Sequence, residues 1–299
     1  MAYKKLFLDS GAYSAFTKGA VIDIHEYIAF IKKNIKYIDV YSVLDVIGDS
    51  EATWKNQKIM ERHGLKPIPC FHTGESETYL KRYIDSYPYI ALGGMVGGSS
   101  QGLLLWLDRL FRDYICGPDG MPKVKVHGFG ITAHDLMWRF PWFSVDSAAW
   151  VFTGRNGGIF VPRFIQGEYN YSERPWVVSI SEQSGEKKKV EGKHYNAFSP
   201  LEQKQILSYL KFKSFALGEE GPPQPVAKDY VLGSGERWGN REHTTIVPIL
   251  TDGAGTNYRV RDALNISYYM DFMAYYNKRK PWPWKFKLSA SGFGLGRVK

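Results

Sequence analysis

The chain has 299 residues, 44% of them hydrophobic and 15% aromatic, enough for a barrel-sized core and too apolar for a predominantly disordered protein. Lysine and arginine outnumber the acidic residues 39 to 30, and the resulting +9 charge favours a polyanionic partner such as nucleic acid. Two cysteines, Cys70 and Cys116, exclude a disulfide framework and a cysteine-rich zinc site; no run approaches the roughly 20 apolar residues of a membrane span, and the N-terminal run is too short for a signal peptide, so a soluble cytoplasmic protein is expected.

The first half repeats one pattern, a short apolar run, a polar or glycine turn and a helical stretch. Leu6 to Leu8 lead into Asp9-Ser10-Gly11, and Ile24 to Ile35 carry apolar residues at helical spacing. Val40 to Leu44 end at Asp45, and the next helix is expected to be capped near Ser50, with Thr53 to Arg62 in its body. Pro67 to Phe71 end at His72, before a helix over Glu77 to Ser86. Tyr89 to Leu92 end at Gly93-Gly94, before a helix over Leu103 to Tyr114. Val124 to Val126 end at His127-Gly128, and a helix follows from near Thr132. Trp142 to Val145 end at Asp146.

About six such units in half a chain predict an α/β protein with a TIM-like (β/α)8 barrel and irregular C-terminal elaborations. An open doubly wound sheet competes, but no G-x-G-x-x-G follows the first strand and every strand ends in polar residues or glycines. One domain over 1–299 is expected, with six βα units in 1–160 and barrel closure plus a basic, aromatic tail in 161–299. Trp176 to Ser181 and Thr244 to Leu250 read as later strands, Glu186 to Lys193 as a solvated loop, and Gly218 to Pro225 as a linker or surface loop. Asp271 to Tyr276 read as the end of a C-terminal helix. The segment Lys278 to Lys285 fits either a strip that follows a phosphate backbone or a tail that packs its tryptophans on the barrel.

Asp9, Asp45 and Asp146 follow strand runs directly, and His72 and His127 hold equivalent places. Strand C-termini are where barrel enzymes carry their chemistry, although a single Asp there also fits a cap or a turn.

The same residues resemble a known family. Asp9-Ser10-Gly11-Ala12-Tyr13 is similar to the DSGG[FY]Q stretch of the queuine and archaeosine tRNA-guanine transglycosylases, and Gly93-Gly94-Met95-Val96-Gly97 to their GGLxVG. His127-Gly128-Phe129-Gly130, then Val145-Asp146-Ser147-Ala148-Ala149-Trp150, resembles HxFG followed by FDSAAY, and Gly154-Arg155-Asn156-Gly157 the RDG beyond it. The likeness spans residues 6 to about 160. The chain lacks the family's C-x-C-x-x-C zinc set and any recognisable RNA-binding domain, and its early strands are closely spaced. In these respects it resembles the DNA-guanine transglycosylases of bacteriophages and bacterial DNA-modification clusters, a branch that acts on deoxyguanosine and has been tied to restriction evasion.

The resemblance implies a pentosyltransferase that exchanges guanine in DNA for a 7-deazaguanine, with preQ0 or a derivative as the incoming base. It makes Asp146 the nucleophile and Asp9 the general acid/base, so the reaction would need no metal, ATP or other cofactor. Asp45 matches the base-recognition aspartate, and His72 stands where the family has a glutamine. Gly93, Gly94 and the backbone at Met95 would approach the base, while Tyr13 and His127 would sandwich it. Tyr13 also fits a core aromatic, and His127 a structural histidine. Arg155 would hold a phosphate. The target guanine must be flipped from the duplex or single-stranded. Three rivals stay open: the same chemistry on tRNA, a barrel glycoside or nucleoside hydrolase, and a non-catalytic DNA-binding subunit. The oligomeric state cannot be read.

Overall fold

A computed structural model describes residues 6–131, 133–184 and 192–287. The chain divides into two compact units, one running to Ser147 and resuming at Lys280, the other spanning Ala148–Arg279. The expectation of one domain with a change of character near residue 160 thus meets a boundary at 147/148.

In the first unit the strands β1 (Phe7–Leu8), β2 (Val40–Tyr41), β3 (Cys70–His72), β4 (Tyr89–Gly93), β5 (Lys125–Gly128) and β6 (Ser144–Val145) alternate with helices. The helices are α1 (Ala12–Thr17), α2 (Ile24–Asn34), α3 (Ser50–Arg62), α4 (Glu77–Ser86), α5 (Ser100–Leu110) and α6 (His134–Arg139). All the strand pairs are parallel. β1 pairs with β2, and β3, β4, β5 and β6 pair in that order. A parallel bridge from Ser42 to Ile68 joins the two sets. The strands therefore follow one another in chain order, without the reversal that marks a doubly wound sheet. Among the described residues, pairing does not run round a closed ring.

Local chemistry sets the helices. Asp23 caps α2 by accepting from the amides of His25 (2.8 Å) and Glu26 (3.0 Å), and the helix buries Tyr27, Ile28 and Ile31 at helical spacing. These residues meet Val43, Met60, Ile68, Cys70 and Ala91 in one core cluster. α3 is capped by Asp49 and not by Ser50. The Asp49 carboxylate accepts from the Ala52 amide at 2.9 Å, and Ser50 becomes the first helical residue. α5 starts earlier than expected, capped by Ser99, and passes into a π-turn at Phe111–Ile115. Thr132 lies outside the described residues.

The aromatic tail packs on its own unit. Trp282 donates from Nε1 to the Pro141 carbonyl (3.1 Å) and meets Phe143 edge-on, Lys280 donates to the Trp138 carbonyl, and Phe286 is buried against Phe111 and Phe140. Of its two sequence readings, the packed tail describes residues 280–287.

The second unit holds α7 (Ala149–Arg155), β7 (Gly158–Val161), β8 (Arg163–Ile165), β9 (Glu168–Asn170), β10 (Trp176–Ser179), α8 (Pro200–Phe212), β11 (Glu219–Glu220), β12 (Gln224–Pro225), β13 (Glu236–Trp238), β14 (Thr245–Thr251) and α9 (Tyr258–Arg279). The later strands exist where the sequence placed them, but they pair antiparallel: β10 with β7, and β14 with β11, β12 and β13. Gly218–Pro225 is not a plain linker, because its ends form two of those short strands. The C-terminal helix begins at Tyr258 and continues to Arg279, past Tyr276. The charged stretch 186–193 lies for its greater part outside the described residues. Among the described residues no helix is long and apolar enough to cross a membrane.

Asn265 of α9 ties this unit together. Fully buried, it accepts from the Phe160 amide (3.0 Å) and donates to the carbonyls of Trp150 (3.1 Å) and Gly158 (3.3 Å). Its removal leaves buried backbone groups without partners, each worth about 1–3 kcal/mol. Asn265→Ala is expected to lower stability by about 3 kcal/mol in urea unfolding. A loss below about 0.5 kcal/mol contradicts this role for Asn265.

Candidate active site

Parallel strands in chain order bring their carboxyl ends to one edge, and a set of short bonds fixes that edge. The Ser10 amide donates to Ser42 Oγ at 3.0 Å, and Tyr27 of α2 donates to the Ser42 carbonyl at 3.1 Å. Ser10 Oγ donates to Asp45 Oδ1 at 2.7 Å, which ties the end of β1 to the segment beyond β2. Asp9 reaches solvent and accepts from the Gly11 amide at 3.4 Å. Partial burial raises its pKa above the ordinary aspartate value, opposed by the Gly11 amide and reinforced by the charges of Asp45 and Asp146. The three aspartates thus share one electrostatic environment.

His72 sits between two carboxylates. Nε2 lies 3.0 Å from Asp45 Oδ2, Nδ1 lies 3.1 Å from Glu75 Oε1, and Glu75 Oε2 accepts the His72 amide at 3.0 Å. The fully buried Cys70 Sγ is 3.5 Å from Nε2. Burial alone would disfavour the imidazolium, but Cys70, Asp45 and Glu75 outweigh it and hold the His72 pKa well above the usual histidine range. Burial pushes the Cys70 thiol up to about 11.

Gly93 makes room for this cluster. A Cβ there would stand 2.7 Å from His72 Cδ2, 3.0 Å from Nε2 and 3.1 Å from Cys70 Sγ. Gly94 has φ +71° and would crowd the Thr73 amide at 3.0 Å, so both glycines answer to the β3 side of the site.

On β5 and β6, Asp146 Oδ1 accepts from the Gly130 amide at 2.8 Å, and its side chain is 48% exposed. Partial burial raises its pKa, opposed by that amide. His127 Nε2 lies 3.8 Å from the same oxygen and has no hydrogen-bond partner among the described residues. Its Nδ1 is 2.6 Å from Ser144 Oγ, which in turn is 2.6 Å from Tyr89 OH. Phe7 stacks on the ring at 4.2 Å and Phe129 meets it edge-on. Burial drives the His127 pKa down to about 3, so the ring is neutral at ordinary pH. Where Ser144 donates to Nδ1, the ring's one proton sits on Nε2 and faces Asp146.

Asp9, Asp45, His72, Gly93, Gly94, His127 and Asp146 therefore meet along one edge of the first unit. Met95 is buried just beyond Gly94. Tyr13 is 52% exposed on α1, and Arg155 is exposed at the end of α7 in the second unit; neither joins the bonds above. With Phe7 covering one face of the ring, His127 is placed to steady Asp146 at least as well as to stack on a base. The sequence reading missed Cys70, Glu75, Ser10, Ser144 and Tyr89. A signal existed for one of them: Cys70-Phe71-His72 alternates on a strand, so Cys70 and His72 share a face. No family model matches the chain, and no curated protein matches it either.

Chemically, the edge offers two solvent-reaching carboxylates with raised pKa values, suited to nucleophilic and acid/base roles.

An acid whose pKa is raised on folding binds its proton more tightly in the folded state. Stability then falls as pH rises through the ordinary aspartate value of 3.8, and the cost persists at neutral pH. Asp9→Asn and Asp146→Asn keep the acceptor and remove the charge. Both are expected to raise Tm at pH 7, with the gain vanishing well below pH 3.8. Calorimetry across pH checks this, and a Tm that drops at pH 7 in both variants contradicts it.

Gly93→Ala must displace His72 or Cys70. It is expected to cost about 1–3 kcal/mol in denaturant unfolding, whereas a Tm equal to that of the parent would show that the cluster yields freely.

Proposed function

We propose that this protein is a DNA-guanine transglycosylase, which exchanges guanine for a 7-deazaguanine by double displacement on a (β/α)8-type scaffold. The observation that supports the reading is that Asp9, Asp45 and Asp146, the aspartates singled out by the family resemblance, lie close enough along one edge for the charges of Asp45 and Asp146 to act on Asp9. The +9 charge suits a polyanionic partner, and the absence of the family's cysteine set favours DNA over tRNA.

In this reading the Asp146 carboxylate attacks C1′ from the face opposite the base. The C1′–N bond breaks, its electron pair leaves with guanine, and Asp9 supplies the proton the departing base needs. Partial burial and two neighbouring negative charges suit Asp9 to hold that proton. The Gly130 amide aims Asp146 and opposes the rise in its pKa, and His127, anchored through Ser144 and Tyr89, limits its movement. The incoming base then loses its proton to Asp9 and attacks C1′, and the C1′–O bond to Asp146 breaks. Two inversions retain configuration at C1′. Asp45, whose two oxygens already face Ser10 and His72, keeps lone pairs for the N–H groups of the bound base. As the resemblance implies, Met95 offers its backbone and Tyr13 a ring to the base.

The test is incorporation of radiolabelled guanine and preQ0 into DNA and into tRNA. Label is expected in DNA alone, falling to background with Asp146→Ala and by about 10-fold to 100-fold with Ser144→Ala, which frees His127. Label in tRNA moves the protein to the tRNA branch. Release of guanine without incorporation makes it a hydrolase, and binding without either makes it a DNA-binding subunit.

A further inference from the structure

We infer that Asp45, Cys70 and His72 form a binding site for one divalent transition-metal ion, with zinc the best-fitting occupant. The inference rests on the geometry of the cluster, which shares Asp45 with the base-recognition role proposed above.

The three donor atoms, a carboxylate oxygen, Sγ and an imidazole nitrogen, all lie within 4.8 Å of one another. Two of the separations are close to what a bound ion would impose. Zinc holds nitrogen and oxygen at about 2.0–2.2 Å and sulfur at about 2.3 Å, so tetrahedral ligands stand roughly 3.3 Å (N to O) and 3.5 Å (N to S) apart. Here Nε2 is 3.0 Å from Asp45 Oδ2 and 3.5 Å from Cys70 Sγ. A carboxylate, a thiolate and an imidazole make a mixed donor set suited to zinc and poorly suited to magnesium or calcium.

The surroundings are arranged as a metal site requires. Ligating histidines donate their second ring N–H to a carboxylate, which fixes the tautomer and the ring plane. Glu75 stands in that place, with Oε1 on Nδ1 and Oε2 on the His72 amide. Ser10 Oγ holds Asp45 Oδ1, so Oδ2 is the oxygen directed at the cluster and Oδ1 stays outside it. Cys70 is fully buried, His72 5% exposed, and the side chains of Asp45 and Glu75 are 11% and 5% exposed. Gly93 is the residue that allows the sulfur and the ring to stand this close. Three protein ligands leave a fourth position for water or for a donor atom of a bound molecule.

The experiment is titration of untagged, chelator-treated full-length protein with Co2+, followed by absorbance and then by Zn2+ competition, without DNA or base. One equivalent is expected to bind, with a near-ultraviolet thiolate-to-cobalt band and visible bands of tetrahedral strength, all displaced by Zn2+. Cys70→Ser is expected to abolish the near-ultraviolet band, and Glu75→Gln to weaken affinity by about 10-fold to 100-fold while keeping the band. Cys116→Ser is expected to change neither. Wild-type protein that takes up no stoichiometric Co2+ at micromolar concentration overturns the inference without recourse to any variant. So does a band that survives Cys70→Ser or is lost in Cys116→Ser. Because nothing in the titration depends on exchange, a failed incorporation assay and a failed titration are separate results.

Discussion

The arrangement of the first unit depends on one constraint: parallel pairing of strands in chain order. A parallel strand cannot return by a tight turn, so each must be followed by a crossover, and every strand delivers its carboxyl end to the same edge. Residues 9, 45, 72, 127 and 146 are remote in sequence, yet the constraint sets them side by side. The hydrogen bonds from Ser10 to Ser42 and Asp45 then hold the first two ends in register. The Phe7 ring, stacked on His127, adds a contact between β1 and β5.

The edge is assembled against its own electrostatics. Three carboxylates repel: burial raises Asp9 above the value it would have in water, and the charges of Asp45 and Asp146 add to the rise. Backbone amides offset part of the cost, Gly11 at Asp9 and Gly130 at Asp146, while His72 stands between Asp45 and Glu75. Such compensation is what a site demands when ionisable groups are kept together for chemistry and not for stability.

Much of the first unit was legible because its signals are local. The helix over Glu77–Ser86 agrees with its apolar spacing, and Asp9 and Asp146 directly follow strands as their sequence position implies, while Asp45 lies four residues past the end of β2. The cap at Asp49 was misplaced by one residue because aspartate and serine are both good caps and adjacent. The second unit was harder. Its strands β10 and β14 have the expected composition, but composition does not say whether a strand pairs parallel or antiparallel. The bonds of Asn265 join residues more than a hundred positions apart, which no local pattern announces. Cys70 and Glu75 were overlooked for a different reason. Cysteine was weighed for zinc only in sets of cysteines, whereas here a thiol and an imidazole from one strand meet a carboxylate from another segment.

The central claim is that Asp146 is a nucleophile towards C1′, and the most direct measurement is to catch the bond it makes. A guanine-containing DNA oligomer would be incubated with the protein, quenched in denaturant and digested, and the peptides mapped by mass spectrometry. The account predicts a covalent deoxyribose adduct on Asp146, absent from Asp146→Asn and chased away by added guanine or 7-deazaguanine. An adduct on Asp9 or Asp45, or a guanine exchange that proceeds with no protein–DNA bond at any residue, would contradict it.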